Sequence, residues 1–389
     1  MKVDFYRHNL GEREVQRLRE VLGGIILTTG TYVADFEARF SEYLGCAHTI
    51  GVTSCTAALH LSLLGLDIGP GDEVITTPMT FMATSNAIIH AGATPVFVDV
   101  EPDTGNLDAS RIEAAITPRT KAVMPVHLYG QMCDMRAIRG IADRHGLAVI
   151  EDCAHCIEGI RDGVRPGQLG DAACFSFYAT KNITSGEGGA ITVHSPELAA
   201  RLRSLRLHGM TSGAAERHLH FRHWDCEEIG WKYNMDNIQA ALLPDQIREM
   251  EDWLTRREAI CQRYEEAFAG VAGLRTLKVV GSSGSKASNR SARHLFTLLV
   301  DPRHRDALLE TIQGAGVGVA VNYRAVHLLK VYRKRFGFER GTFPVAEQIG
   351  DATITIPLFP SMTDAEVAYV IDTVTAAVTH FREPSGALS

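Results

Sequence analysis

The sequence is first characterised by what it lacks. No stretch approaches the roughly 18 consecutive apolar residues of a membrane-spanning helix, and residues Met1–Asp4 do not begin the charged-then-apolar pattern of a secretory signal. An excess of positive charge is also missing, because 39 Lys and Arg are set against 46 Asp and Glu, for a net charge of −7 and a pI near 6.1. We therefore expect a cytoplasmic protein that binds neither membranes nor nucleic acid and whose ligands are small, although a local basic pocket for a phosphorylated ligand is compatible with these totals.

A disulfide framework is missing too. The eight cysteines are spaced irregularly over 389 residues, which fits a reducing compartment. One cluster, Cys153-Ala154-His155-Cys156, has C-x-x-C spacing and could serve redox chemistry or supply half of a zinc site. Neither a second C-x-x-C nor an H-x-x-H completes four ligands, so we predict no metal. The histidine run between Arg217 and Trp224 lies on a polar stretch and is interpreted as a solvated loop.

Short apolar runs alternate with helical patterns between about residues 48 and 195. This alternation is typical of strand–helix units and predicts an α/β fold with a mainly parallel sheet. Seven strands are predicted, at His48–Thr53, Glu73–Thr77, Pro95–Val100, Ala122–Val126, Ala148–Glu151, Ala173–Phe177 and Ala190–Val193. Apolar residues at three- and four-residue intervals predict helices between them, at Thr56–Gly65, Thr80–Ala91, Ala109–Ile116 and Met135–His145.

The pattern changes in the second half of the chain. A long helical run from Met235 to about Phe268 is broken at Pro244, and a flexible-looking loop follows at Gly281–Ser285. A second α/β unit is predicted after it, with a strand at His294–Val300, helices at Arg303–Gly314 and Asp364–Phe381, and a disordered tail at Arg382–Ser389. We therefore predict a large domain over residues 1–245 and a smaller one over residues 246–389.

Two strand ends carry residues of unusual chemical interest. One apolar strand ends at Asp152, and the next leads through Ser176 to a single lysine, Lys181. Pyridoxal phosphate (PLP) needs an amine to hold its aldehyde as a Schiff base, a carboxylate beside its ring nitrogen, and hydroxyl and backbone donors around its phosphate. These three residues are of the right types for a PLP site. The alternative is that Asp152 caps a helix and that Lys181 is solvated.

Two further segments fit the same interpretation. Ser54 and Thr56 lie between a predicted strand and a helix, where backbone N–H groups and the helix N-terminus can hold a phosphate. They can equally be plain caps, and a capping turn is already an anion site. Phe81, at the start of the next predicted helix, could stack on a flat cofactor ring or belong to the core.

Ordered motif matches along nearly the whole chain identify a resemblance. They are Leu27-Thr28-Thr29-Gly30, Phe36-Glu37, Gly69–Val74, Gly92–Asp99, Glu151-Asp152, Gly186–Gly189, Tyr233-Asn234-Met235, Gln239-Ala240-Ala241 and Phe343–Glu347. On these segments the chain resembles the DegT/StrS family of PLP-dependent nucleotide-sugar aminotransferases. The resemblance implies the aspartate-aminotransferase type of fold (fold type I), with a seven-stranded sheet flanked by helices and a smaller C-terminal α/β domain.

The resemblance implies a role for each matching site residue. Lys181 would hold PLP as its internal aldimine and shuttle the proton between cofactor and substrate carbons, and Asp152 would bind the pyridine nitrogen and keep the ring cationic. Phe81 would stack on the ring. The phosphate would be held by Cys55, Thr56 and Ser176. The family usually has glycine at position 55, so a contact there should come from the backbone.

One matching residue implies an oligomer. Asn234 corresponds to a residue that, in the family, reaches the phosphate of the neighbouring subunit, which implies a homodimer with two shared active sites. The alternative interpretation of Tyr233-Asn234 is a capping turn before Asp236.

Other residues resemble one branch of the family. His155 stands where many members have glutamine, and with Lys181–Thr184, Gly230–Asn234 and Tyr323–His327 it is similar to the branch that makes UDP-4-amino-4-deoxyarabinose. This implies transfer of an amino group from L-glutamate to a nucleotide-linked 4-keto sugar. The candidate substrate-binding residues are Thr29, His155, Glu187, His208, Tyr323, Arg324 and His327. A packed core histidine is the alternative for His155.

Other activities stay open on the sequence. A 3-keto sugar or a keto-cyclitol is an alternative acceptor for the same chemistry. A PLP-dependent sugar dehydratase is a second class with the same fold, but those lyases replace the Schiff-base lysine by histidine, and Lys181 argues against them. A noncatalytic regulator is a third class, and the intact set Lys181, Asp152 and Ser176 argues against it.

Overall fold

The computed structural model of the chain describes residues 1–210, 225–280 and 288–381. In these ranges the α-helices, labelled α1 to α12, are Glu12–Gly23, Thr31–Leu44, Cys55–Gly65, Ala83–His90, Met135–His145, Pro196–Leu205, Asn237–Ala241, Pro244–Phe268, Arg305–Gly314, Lys330–Phe336, Pro344–Ala352 and Asp364–His380. Strands β1 to β10 are His48–Val52, Glu73–Thr76, Thr94–Phe97, Thr120–Met124, Ala148–Asp152, Ala172–Ser176, Gly189–Val193, Arg275–Thr276, Phe296–Leu299 and Thr353–Ile356. The histidine run between Arg217 and Trp224, the loop Gly281–Ser285 and the tail Arg382–Ser389 lie outside the described residues.

Strands β1 to β7 form one sheet in the order β1-β7-β6-β5-β4-β2-β3. Strand β7 is antiparallel to both of its neighbours, and the other pairs are parallel. Every residue of β6 and β7 is buried, as expected for strands that helices cover on both faces. The prediction of a mainly parallel seven-stranded sheet is confirmed.

Two predicted helices differ from the structure. The helix predicted at Ala109–Ile116 is instead two short 3-10 turns, because Asp108 caps the first turn at the N–H of Ser110 and Thr117-Pro118 cannot continue a helix. The helix predicted at Thr80–Ala91 begins only at Ala83. Phe81 therefore stays in the connection before α4, and its side chain is 52% exposed.

Apolar clusters on the two faces of the sheet fix the helices that carry the site. Helix α3 is buried along most of its length and packs with Cys174 of β6. The next residue of β6, Phe175, points to the other face, since side chains alternate along a strand. There it meets Phe40 of α2 edge to face, with ring centroids 5.0 Å apart. The sheet is thus held rigidly between α3 and α2.

A second, three-stranded antiparallel sheet has the order β10-β9-β8. It follows the long helix α8, and its apolar core includes residues of β9, β10, α9 and α12. Val3 packs in the same core and pairs with Val317, so the N-terminal segment joins this unit. The second α/β unit is therefore present, while the predicted boundary between residues 245 and 246 stays a prediction. None of the helices in the described ranges has the length and apolar character needed to cross a membrane.

Candidate active site

The candidate site lies at the edge of the large sheet where its parallel strands end. Asp152 is the last residue of β5, Ser176 is the last residue of β6, and β1 leads through Ser54 into α3. Because β1, β5 and β6 run in the same direction, these ends meet at one edge. Lys181 follows β6 in a turn that its own N–H closes by donating to the carbonyl of Tyr178 at 2.9 Å. The fold thus brings a carboxylate, a hydroxyl, an amine and a helix N-terminus to one crevice.

The Asp152 carboxylate is buried and held in a fixed orientation. Its Oδ2 accepts a hydrogen bond from Thr84 Oγ1 at 2.8 Å, and its Oδ1 accepts one from the N–H of Ala154 at 3.1 Å. Burial raises the pKa of Asp152, while these two hydrogen bonds and the charge of Lys181 act in the opposite direction. Asp152 therefore closes a local turn rather than capping a helix. Its oriented carboxylate is suited to face a cationic ring nitrogen.

The Lys181 side chain is half-buried and unpaired. Burial lowers the pKa of Lys181 to about 8, while Cys55 and Asp152 act in the opposite direction. Among the described residues, the Lys181 amine forms no hydrogen bond or ion pair. A lysine with a lowered pKa is a better nucleophile near neutral pH, because more of it is unprotonated.

The N-terminus of α3 forms an anion cradle. Ser54 is its N-cap and accepts a hydrogen bond from the N–H of Ala57 at 3.1 Å, while the first N–H groups of the helix have no intrahelical acceptor. The Cys55 thiol lies 3.5 Å from the carbonyl oxygen of Cys174 and so points away from the cradle. As the first residue of α3, Cys55 offers its backbone N–H to an anion. A Cβ on Gly189 would lie 2.4 Å from the Ser54 carbonyl carbon, so glycine is needed where β7 passes the cradle.

A histidine–tyrosine pair lies beside the lysine. The Nδ1 atom of His155 accepts from the N–H of Tyr129 at 3.3 Å, which assigns the proton of the neutral ring to Nε2, where it is donated to the Tyr323 hydroxyl oxygen at 2.9 Å. Burial and the nearby charge of Lys181 hold the pKa of His155 well below its ordinary value. The Phe81 ring lies 5.7 Å from that of Tyr323. The Tyr323 hydroxyl hydrogen is thus left free for another acceptor.

A buried network behind Lys181 contains residues that the sequence analysis did not select. Asn182 donates from Nδ2 to both carboxylate oxygens of Glu158, at 3.0 and 3.2 Å, and accepts at Oδ1 from His294 Nδ1 at 2.9 Å. Arg257 Nη2 donates to Glu158 at 2.6 Å. These contacts fix the residue next to Lys181. The sequence contains one indication of this network, because Arg257 lies on the buried apolar face of α8 between Leu254 and Cys261, where a charged side chain needs a partner.

Two predicted residues line a different cavity. Asn234 donates from Nδ2 to Thr29 Oγ1 at 2.8 Å, and both residues line an open cavity of about 1070 Å³ that does not include Lys181. The N-cap of helix α7 is Asp236, which accepts from the N–H of Gln239, so capping does not occupy the Asn234 side chain.

The remaining predicted contacts are dispersed. Glu187 and His208 are exposed, and Arg324 is exposed directly after Tyr323. His327 is fully buried, with Nε2 3.0 Å from Glu347 Oε1 and its ring packed on Phe343. The structure places Cys55, Thr56, Phe81, Asp152, His155, Ser176, Lys181 and Tyr323 at or beside the crevice. In the described part of the chain, no side-chain hydrogen bond joins Thr29, Glu187, His208, Asn234, Arg324 or His327 to any of these residues.

The C-x-x-C segment does not form the site considered from its spacing. Cys153 and Cys156 are fully buried free thiols, and burial raises the pKa of each well above its ordinary value. Both ring nitrogens of His155 are hydrogen-bonded. In the described part of the chain, the group close enough to hold a metal is instead His127, Glu151 and Cys153. Glu151 there already accepts from His127, Gly167 and Gly170, which is a structural role.

The crevice fits PLP. It offers a free amine at Lys181, an oriented carboxylate at Asp152, free N–H groups at the start of α3 and an exposed aromatic face at Phe81. These are the amine, the ring-nitrogen partner, the phosphate donors and the stacking surface that the cofactor needs. The role of each individual residue toward the cofactor stays a prediction.

Known proteins resemble the chain over almost its whole length. Residues 8–375 match the DegT/DnrJ/EryC1/StrS aminotransferase family. The spore coat polysaccharide biosynthesis protein SpsC of Bacillus subtilis is 43% identical over 372 residues, which are 94% of each chain. The S. venezuelae DesV structure with a ketimine intermediate has a TM-score of 0.86 at 35% identity and 94% coverage of both chains. The PMP form of the putative sugar aminotransferase Spr1654 of Streptococcus pneumoniae has a TM-score of 0.90 at 31% identity, covering 97% of this chain and 99% of that one.

These similarities agree with the strand-end crevice in both fold and cofactor. The predicted family, the fold type I architecture, the aminotransferase activity and PLP as cofactor are confirmed. The chain belongs to the DegT/DnrJ/EryC1/StrS aminotransferase family and is a PLP-dependent enzyme that transfers an amino group to a sugar.

Proposed function

We propose that the enzyme transfers an amino group from L-glutamate to the C4 carbonyl of a nucleotide-linked 4-keto sugar. The single observation that carries this proposal is the His155–Tyr323 hydrogen bond of 2.9 Å beside Lys181. A neutral imidazole that donates to Tyr323 leaves the phenol hydrogen free to donate to a sugar oxygen. Such a donor fixes which sugar carbon faces the amine, and orientation of this kind decides the position of amination.

The residues of the crevice support this chemistry. When bound, PLP carries the amino group and stabilises negative charge at the carbon that gains or loses a proton. With a pKa of about 8, Lys181 can both accept and release a proton near neutral pH. The buried Asp152 carboxylate opposes loss of the proton from the cofactor ring nitrogen. Phe81 supplies a flat apolar face, and the N-terminus of α3 with Ser176 supplies donors for the phosphate.

The acceptor is tested by competition. The holoenzyme is incubated with L-glutamate and matched 3-keto and 4-keto nucleotide sugars, and products are identified by mass spectrometry and NMR. The proposal expects the 4-keto compound to be aminated preferentially. Preference for the 3-keto compound, or for a keto-cyclitol added in a third arm, contradicts the C4 assignment and leaves the sugar aminotransferase class unchanged.

The two rival classes are tested with the same protein. A dehydratase would release water from the sugar without consuming glutamate, and a regulator would neither bind PLP covalently nor turn over glutamate. A yellow protein that converts glutamate to 2-oxoglutarate in step with amino-sugar formation excludes both. Lys181 in the Schiff-base position supports the aminotransferase over either rival.

We also propose a homodimer in which Asn234 completes the neighbouring active site. Its side chain lines an open cavity whose lining does not include Lys181, and Lys232 Nζ donates to its Oδ1. Mixing Asn234→Ala subunits with Lys181→Ala subunits tests this arrangement. Random pairing makes half of the dimers mixed, each with one intact site, so about a quarter of sites should recover activity. A mixture that stays inactive, although labelled subunits demonstrably exchange, assigns Asn234 to its own chain.

A further inference from the structure

An open basic groove lies outside the crevice, with a volume of about 610 Å³. Four exposed cations, Arg324, Lys330, Arg333 and Lys334, line it against a single carboxylate, Glu339. Within the described ranges none of these four cations forms an ion pair with Asp or Glu. On a chain of net charge −7, this groove is therefore a local patch of positive charge, in which Glu339 is the one carboxylate among the lining residues.

The groove includes the chain neighbour of an active-site residue. Arg324 directly follows Tyr323, whose hydroxyl contacts His155. Helix α10, which carries the three other cations, is anchored on the segment after Phe81. There the Tyr332 hydroxyl donates to Asn86 Oδ1 at 2.6 Å and lies 3.4 Å from the Met82 carbonyl. Tyr332 thus fixes α10, and with it the three cations, against helix α4 and the residue next to Phe81.

We propose that this groove binds the diphosphate of the nucleotide sugar, with Lys330, Arg333 and Lys334 as phosphate contacts beside Arg324. The inference rests on the proposed function, because it assumes that the sugar enters with its nucleotide attached. Two guanidinium and two ammonium groups around an open channel match a flexible group with two or more negative charges. The base beyond the diphosphate is left to surfaces outside this groove, so the groove selects for the diphosphate rather than for one nucleotide.

The test compares two triple variants of the holoenzyme with the same change in net charge. Lys330→Gln/Arg333→Gln/Lys334→Gln removes groove cations, and Lys121→Gln/Arg275→Gln/Lys278→Gln removes two lysines and one arginine that are exposed elsewhere. The groove variant should raise KM for the nucleotide keto sugar about 100-fold with kcat within about twofold, and the control should change neither. Calorimetry with UDP, dTDP and inorganic pyrophosphate should show the same weakening, and Glu339→Gln should strengthen binding about threefold.

The donor half-reaction separates this inference from the proposed function. Conversion of the PLP form to the PMP form by L-glutamate, followed by absorbance, involves no nucleotide and should be equal in both triple variants. If the unmodified enzyme aminates no nucleotide keto sugar, the proposed function is wrong. The calorimetry still measures whether the groove cations bind a nucleotide diphosphate. If KM and the affinities for nucleotide and pyrophosphate are all unchanged in the groove variant, the groove does not bind the diphosphate. If only pyrophosphate binding is weakened and nucleotide binding is unchanged, the proposal is also wrong, because the groove is then a site for free phosphate only. If the triple variant does not fold, Arg333→Gln alone should give about a fivefold rise in KM.

Discussion

The crevice and the basic groove use charge in opposite ways. In the crevice, Asp152 and His155 are buried and Lys181 is half-buried. Burial raises the pKa of Asp152 and lowers the pKa of His155 and of Lys181, so it favours the neutral form of each group. In the groove, the cations around Arg333 are exposed to solvent. A low dielectric makes it costly to charge a group in the crevice, whereas exposed cations can attract an anion at long range without a desolvation cost of this kind.

This difference predicts how each region fails. Removal of a crevice group should act mainly on the rate of the chemical step, because no water or neighbouring side chain can replace it. Removal of a groove cation should act mainly on KM, because the remaining cations still attract the same anion. On the crevice side, four changes should have effects that decrease from the active-site amine to the pH dependence of stability.

Replacement of the active-site amine should have the largest effect. Lys181→Ala should abolish transamination, because in the described part of the chain no other lysine lines the cavity beside it. Borohydride reduction followed by peptide mass spectrometry should find no pyridoxyl-lysine in the variant. Lys121→Ala, at an exposed position, is the control and should keep full activity. Wild-type turnover by Lys181→Ala, or an adduct at another lysine, contradicts the assignment.

Loss of the buried carboxylate charge should come next. Asp152→Asn keeps the size of the side chain and its contact with Thr84 but removes the charge opposite the ring nitrogen. The barrier should rise by on the order of 3 kcal/mol, about a hundredfold in rate, while some PLP binding persists. Single-turnover kinetics measure the effect, with the exposed Asp143→Asn as control. A rate within twofold of the unmodified enzyme would exclude the ring-nitrogen role.

The hydroxyl of the histidine–tyrosine pair should have a smaller effect. Tyr323→Phe keeps the ring beside Phe81 and removes the hydroxyl that His155 contacts. Loss of one hydrogen bond should lower kcat/KM for the keto sugar by about tenfold and leave the glutamate half-reaction unchanged. Tyr369→Phe, which loses only a bond to the carbonyl of Ala315, is the control. Equal losses in both half-reactions would assign Tyr323 to the cofactor instead of the sugar.

The smallest effect is on the pH dependence of stability. In the folded apoprotein, burial lowers the pKa of Lys181 to about 8, against 10.5 for an unperturbed lysine. Between these values the unfolded chain binds more protons, so stability should rise with pH relative to a Lys181→Met variant, which has no such group. Melting temperatures of both apoproteins between pH 7 and 10 measure this. A constant difference in Tm across that range would mean that the folded pKa is not lowered.

Local patterns predicted much of the fold and part of the site. Apolar runs ending at Asp152 and leading to Lys181 fix two strands and the residues that follow them, because neighbours in sequence must be neighbours in space. The resemblance added Cys55, His155 and Tyr323 and favoured stacking over a core position for Phe81. Neither source predicted that Phe81 would lie outside helix α4 with an exposed side chain, which depends on how the connection after β2 packs.

Only the tertiary structure decided which distant side chains meet. The sequence by itself determined the α/β alternation, the polar residues at the strand ends and the position of Lys181 after its strand, because these depend on periodicity and chain adjacency. It did not determine that His294 and Arg257 converge on Asn182 and Glu158, nor that His327 turns into the core while Tyr323, four residues earlier, meets His155. These contacts join residues that are between 20 and 168 positions apart in the sequence. They are set by the packing of whole helices and sheets, which no local pattern contains.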